Sequence, residues 1–166
     1  MKSTQIADGV YIINNFLSDK ECQKYIDFCE NKGFEKAHIA SHRNNDRLII
    51  TRTDIAETLW GRLSKCLNLK AVGLNECFRF YKYSRGQEFK WHADGSFKRS
   101  NGEESRFTIL FYLNHSFKGG ETKFKNFSVL PETGKALIFK HSFLHQGAPV
   151  RKGVKYVLRS DVMFNS

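Results

Sequence analysis

The spacing of apolar positions changes character near residue 75. Before it, two stretches repeat at helical period. Ser18-Asp19-Lys20-Glu21 carries the residues of a capping box, and Cys22, Tyr25, Ile26 and Cys29 fall on one face of a helix that runs to Gly33. A second helix, capped by Thr53 or Asp54, places Ile55, Leu59, Leu63, Cys66 and Leu67 on its buried stripe. Val10 to Ile13 and Arg47 to Thr51 read as strands, with a turn at Asn44-Asn45-Asp46. From Asn75 onward, short runs alternate with period two between turn residues: 75 to 83, 87 to 94, 106 to 113, 121 to 129, 136 to 140 and 154 to 164. Strands following helices predict an α+β fold, mainly β: a double-stranded β-helix (jelly roll) with two supporting N-terminal helices. Residues 1–166 are expected to form a single domain, with helical support over about 1–70 and the jelly-roll core over about 75–164.

Composition narrows this picture. A chain of 166 residues with 15 Phe, 6 Tyr and 2 Trp can fill one core. The net charge of +10 favours an acidic partner, whether nucleic acid, an acidic protein segment or an anionic small molecule, and is equally the charge of a solvated basic surface. The opening residues have no apolar leader segment and no stretch has the length of a membrane span, so a cytoplasmic protein without a membrane partner is expected. Cys22, Cys29, Cys66 and Cys77 have no metal-ligand spacing and read as reduced small hydrophobes.

The chemistry concentrates at one short motif. His92-Ala93-Asp94 ends a strand-like run, so residues 92 and 94 share a face. His145 lies far downstream, ahead of the strand that starts near Lys155. Two neutral imidazoles and a carboxylate bind one face of a metal ion and leave the other open, as in non-haem iron(II) oxygenases, although zinc, nickel and manganese also accept such a donor set. His38, His42, His115 and His141 are taken as ordinary histidines; His141, which ends the run 136 to 140, is the nearest rival to His145. The polar stretch Gly95 to Ser105 is the clearest long loop. It leaves directly from the candidate ligands, where a loop gates a site or touches substrate; a solvated hairpin has the same composition.

Five pieces, in order over roughly residues 75 to 164, resemble the iron(II)- and 2-oxoglutarate-dependent dioxygenases, specifically the prolyl 4-hydroxylase-like catalytic domain. They are Tyr83-x-x-Gly86-Gln87, His92-x-Asp94, Tyr112-Leu113-Asn114, Gly119-Gly120-Glu121-Thr122, and His145-x-x-x-Pro149-Val150-x-x-Gly153-x-Lys155. The resemblance implies Fe(II) held by His92, Asp94 and His145, and 2-oxoglutarate and O2 as co-substrates, with ascorbate a further candidate cofactor. It implies that Lys155 binds the far carboxylate of 2-oxoglutarate, that Tyr112 donates to the same carboxylate, and that Tyr83 lines the cofactor pocket. The reaction it implies couples conversion of 2-oxoglutarate to succinate and CO2 with hydroxylation of a C–H on a protein or peptide side chain, proline being favoured.

Arg159 departs from the family pattern. Alternation puts Lys155, Val157, Arg159 and Asp161 on one face, so Arg159 should look towards the metal. A buried guanidinium needs an anion. The metal-bound end of the cofactor, Asp161, or an acidic group on the substrate are the alternatives, the first making Arg159 a cofactor-binding residue. Oxidative demethylation of nucleic acid bases and hydroxylation of a free amino acid or small metabolite are the rival reactions. A non-catalytic jelly-roll binding module is the rival of another class. The sequence leaves the oligomeric state open.

Overall fold

The first helix starts where its capping box predicts. The Ser18 hydroxyl accepts from the Glu21 N–H at 3.3 Å, and the Glu21 carboxylate accepts from the Ser18 N–H at 2.8 Å. This helix, α1 (Asp19–Lys32), ends at Gly33, whose φ of 82° favours glycine and whose N–H donates to the Cys29 carbonyl. The computed structural model to which these elements belong describes residues 1–36 and 42–166; His38 lies outside the described residues.

The second helix, α2 (Thr53–Leu63), corrects the predicted cap. Its N-cap is Arg52, extended at φ −143° and ψ 100°, with no side-chain cap bond. The chain leaves the preceding strand at Thr51, so Thr53 and Asp54 already lie in the first turn. There Asp54 accepts from Arg52 at 2.7 Å, at the end of the helix where the dipole favours a carboxylate. Cys66 and Leu67 fall beyond the last helical residue, yet Leu67 remains buried.

An eight-stranded antiparallel sheet forms the main layer. Its order is β1 (Thr4–Ala7), β2 (Val10–Ile13), β11 (Ala136–Lys140), β7 (Glu104–Tyr112), β14 (Lys155–Phe164), β5 (Cys77–Tyr83), β3 (Asp46–Thr51), with β4 (Ala71–Leu74) paired to the far end of β14. The segment before residue 70 is therefore more than helical support, because β1, β2 and β3 extend the sheet at both edges. A four-stranded sheet faces it, in the order β10 (Ser128–Val129), β9 (Thr122–Phe124), β12 (His145–Gly147), β6 (Phe89–His92). The run expected over 121 to 129 is thus two strands around a turn. A short ribbon pairs β8 (Lys118–Gly119) with β13 (Val150–Lys152).

Alternation sorts the large sheet into two faces. Phe78, Phe80, Phe107, Ile109, Phe111, Ile138, Leu158 and Val162 pack with Cys22, Cys29, Ile55, Leu59 and Leu63 of the helices. Tyr81, Tyr83, Tyr112, Leu137, Phe139 and Val157 point the other way and pack with Phe124, Val129 and Val150. The helices therefore seal one face, and the gap between the two sheets is left for the site. All four cysteines are free; burial pushes the Cys22 and Cys29 thiols up to about 11 and about 12. Among the described residues, no helix is long and apolar enough to cross a membrane.

Candidate active site between the sheets

Strand pairing brings the two imidazoles together. His92 on β6 and His145 on β12 are direct cross-strand partners, with ring centroids 4.2 Å apart. Asp94 follows β6, tied down by its backbone N–H to the His141 carbonyl at 3.0 Å. The three side chains offer ligand atoms that all lie within 4.8 Å of one another. Asp94 Oδ1 lies 3.7 Å from His92 Nε2, and its Oδ2 lies 3.7 Å from His145 Nε2.

The tautomers suit a metal. His92 Nδ1 sits 2.7 Å from the Lys90 carbonyl, and His145 Nδ1 sits 2.9 Å from the Phe143 carbonyl. A carbonyl only accepts, so each Nδ1 carries the proton and each Nε2 presents a lone pair to the common centre. Burial lowers both imidazole pKa values, that of His92 to about 4 with His145 adding to the effect, so both rings are neutral at pH 7. Burial opposes ionisation of Asp94, but the Arg159 guanidinium and a hydrogen bond from Thr108 Oγ1 outweigh it and keep the carboxylate charged. Neutral nitrogen donors and an ionised carboxylate fit a divalent transition metal.

The pocket that opens from this centre is lined by Tyr81, Tyr83, Leu110, Thr122, Val157 and, at its inner end, Lys155. Lys155 is buried, and its ammonium donates to the Gly120 carbonyl at 2.7 Å. It lies 5.0 Å from the Tyr83 ring centre and 5.8 Å from that of Tyr112. Gly120 has φ 71°, and a Cβ there would stand 3.1 Å from Lys155 Cδ, so the second glycine of Gly119-Gly120 makes room for the lysine stem. The Tyr112 hydroxyl, expected to reach a cofactor carboxylate, bonds to Thr122 Oγ1 at 2.6 Å, and it is Thr122 that lines the pocket.

Residues 78–160, half of the chain, match the model of the 2OG-Fe(II) oxygenase superfamily. The chain belongs to the 2OG-Fe(II) oxygenase superfamily. Among its relatives is an Arabidopsis thaliana protein named "Probable prolyl 4-hydroxylase 7", 25% identical over 191 residues that cover 89% of this chain and 60% of the relative. This chain thus spans less than two thirds of that relative's length. A viral collagen prolyl hydroxylase from Paramecium Bursaria Chlorella virus-1, solved as a 2OG complex, has the same fold: TM-score 0.72, 22% identity, 96% of this chain and 99% of that one. A Pseudomonas putida prolyl-4-hydroxylase gives TM-score 0.71 at 15% identity over 95% and 94% of the two chains. These likenesses identify the paired sheets as the double-stranded β-helix of prolyl 4-hydroxylases.

Arg159 of this oxygenase points at the centre, as alternation predicts. Its Nη2 lies 3.3 Å from Asp94 Oδ1 and 3.1 Å from Asp161 Oδ1. Burial opposes its charge, yet Tyr81, Asp94 and Asp161 together hold it protonated. Residues not assigned to the site from the sequence complete the surround. Phe89 stacks on His92 with ring centroids 3.5 Å apart. Thr108 links Asp94 to His141 Nδ1 at 2.9 Å, and His141 Nε2 reaches Ser105 Oγ at 2.9 Å, so His141 supports the carboxylate from behind. Tyr81 was legible by alternation from Tyr83; Thr108 gave no signal, since only the register against Asp161 brings it here. The loop after Asp94 is clasped by Arg99, which pairs with Glu76 and Glu103 and donates to the Leu74 carbonyl.

Replacing Arg159 with Ala leaves two buried carboxylates with less compensation. A loss of up to roughly 3–5 kcal/mol is expected for a buried pair cut on one side, reduced here because Asn75 still donates to Asp161 at 3.1 Å. A metal at Asp94 replaces part of the missing charge, so Mn(II) should raise the melting temperature of the variant more than that of the wild type. Equal shifts in thermal unfolding with and without Mn(II) would show that Arg159 does not act on Asp94.

Proposed function

We propose that this oxygenase hydroxylates a C–H of a protein or peptide side chain, proline being the favoured target, with 2-oxoglutarate converted to succinate and CO2. The observation that carries the reading is one pocket with a two-His, one-Asp centre at its mouth and a buried ammonium at its inner end. A keto acid with two carboxylates matches a pocket lined by both a metal-binding centre and a separate buried ammonium. His92, Asp94 and His145 would hold Fe(II), which when bound supplies the oxidising chemistry with O2. Lys155 would bind the far carboxylate, with Thr122 as a second donor positioned by Tyr112, and Tyr83 would wall the pocket. Phe89, Leu110 and Val157 would exclude water from the reacting carbon. Ascorbate, as an accessory reductant, belongs to this proposal. The prolyl 4-hydroxylases among its relatives support proline as the target.

The test is a panel of proline-containing peptides incubated with protein, Fe(II), 2-oxoglutarate and O2. A peptide mass gain of one oxygen matched by succinate is the expected result. Succinate formed only without peptide oxidation, across the panel, would remove proline from the account.

Lys155 also predicts a pH dependence. Burial pushes its pKa down to about 7, with Glu121 partly opposing the shift. Since the ammonium is the form that binds a carboxylate, the Kd for 2-oxoglutarate should be flat below that pH. Above it, Kd should rise by up to about tenfold per pH unit, until the bound-state pKa is reached. Calorimetric titration from pH 6 to pH 9 checks this; a Kd that does not change would show the ammonium is not the anchor.

A further inference from the structure

A second recess meets the first at the metal centre. Tyr81, Phe89, His92, Asp94 and Arg159 line both, but where the inner pocket ends on Lys155, the outer one is walled by Arg43 and Arg79 together with Asp161. Arg79 on β5 and Arg159 on β14 are direct cross-strand partners on the site face. Like charges directly opposite each other destabilise a sheet. Here a single carboxylate answers both: Asp161 Oδ1 is 3.1 Å from Arg159 Nη2, and Asp161 Oδ2 is 3.7 Å from Arg79 Nη1.

That answer is incomplete. Arg79 Nη1 and Arg43 Nε are buried with no hydrogen-bond partner among the described residues, and Asp161 Oδ1, which faces Arg159 as an ion pair without hydrogen-bond geometry, reaches neither; the Arg43 guanidinium sits 5.9 Å above the Phe89 ring. A buried donor without an acceptor is costly, and a charged one more so. With Asp94 engaged by a metal, three guanidiniums share one remaining carboxylate in the outer recess. The recess therefore lacks an anion, beside the ligand set and on the side away from Lys155.

We propose that Arg43 and Arg79 bind a carboxylate of the primary substrate, so that this oxygenase selects a substrate with an acidic group beside the carbon it oxidises. The inference rests on the oxygenase reading above and adds the substrate class. The carboxylate has three sources: an acidic side chain next to the target residue, a chain terminus, or the substrate's own α-carboxylate.

Three matched pairs distinguish them: acetyl-Glu-Pro-amide against acetyl-Gln-Pro-amide, acetyl-proline against its amide, and L-proline against L-prolinamide. Each is titrated by calorimetry into protein loaded with Mn(II) and 2-oxoglutarate. In at least one pair the acid should bind about ten- to a hundredfold more tightly than the amide, the effect of one charge-assisted contact. That preference should disappear in Arg79→Gln and shrink in Arg43→Gln. No acid preference in any pair, or one that survives both substitutions, overturns the proposal, and if Arg79→Gln fails to fold an acid preference undiminished in Arg43→Gln overturns it as well. Mass analysis under turnover conditions with Fe(II) separates the two readings. Acid and amide oxidised alike would sink the carboxylate site and leave the hydroxylase. An acid that binds selectively but gains no oxygen would uphold the site and remove the proposed reaction.

Discussion

His145→Ala should lose iron(II) binding and 2-oxoglutarate turnover together while the chain stays folded. Even an outer-shell partner of a metal ligand typically changes affinity by about ten- to a hundredfold, and a ligand contributes more. The fold should survive because His145 sits in a cluster with Phe124 and Phe139 at ring separations of 6.1 and 4.5 Å. The lost ring leaves a cavity on one side of the small sheet, and the helix-packed core lies on the far face of the large one. Asp94→Asn is the sharper companion, since it keeps the shape and removes only the charge that Arg159 and Thr108 hold in place. Metal binding followed by calorimetry, with circular dichroism to check the fold, reads both variants. Full succinate production by His145→Ala would take this triad out of the account.

Lys155→Met should show opposite effects on stability and on binding. An ammonium whose hydrogen bond to the Gly120 carbonyl is its main compensation is expensive to bury, and the thioether fills a similar volume without that cost. The variant should therefore melt at or above the wild-type temperature. Its 2-oxoglutarate affinity should fall by about ten- to a hundredfold, the effect of losing one charge-assisted contact of roughly 1.5–3 kcal/mol. A lysine with a merely structural role would lose stability and leave affinity unchanged. Loss of affinity in Arg159→Ala but not in Lys155→Met would make the arginine the anchor.

Local signals carried most of the frame. The capping box at Ser18, the glycine stop at Gly33 and the strand over 136 to 140 are written in short-range residue choices, and each stands where those choices put it. Strands β12 and β13 escaped because three residues such as His145-Gln146-Gly147 have no period to read; they are strands only because β6, β9 and β8 offer them partners. The two faces of β14 were similarly indistinct in composition, since Leu158 and Val162 pack under the helices while Val157 packs in the gap between sheets. Alternation counted from Lys155 still resolved them, and it set Arg159 towards the metal ligands. For the site, the motif residues named the candidates, but their neighbours are products of topology. Thr108, His141, Arg43 and Arg79 come from separate segments and meet only through sheet register. The cross-strand pairing of Arg79 with Arg159, on which the substrate proposal depends, has no trace in a linear reading.

In the proposed reaction one pocket takes a keto acid between the two-His, one-Asp centre and Lys155. Calorimetric titration of 2-oxoglutarate into the protein, with and without Mn(II), in wild type, Asp94→Asn and Lys155→Met, tests it most directly. Tight binding that requires the metal, disappears in Asp94→Asn and weakens strongly in Lys155→Met is the predicted result. Binding of equal strength without metal, or in both variants, would contradict it.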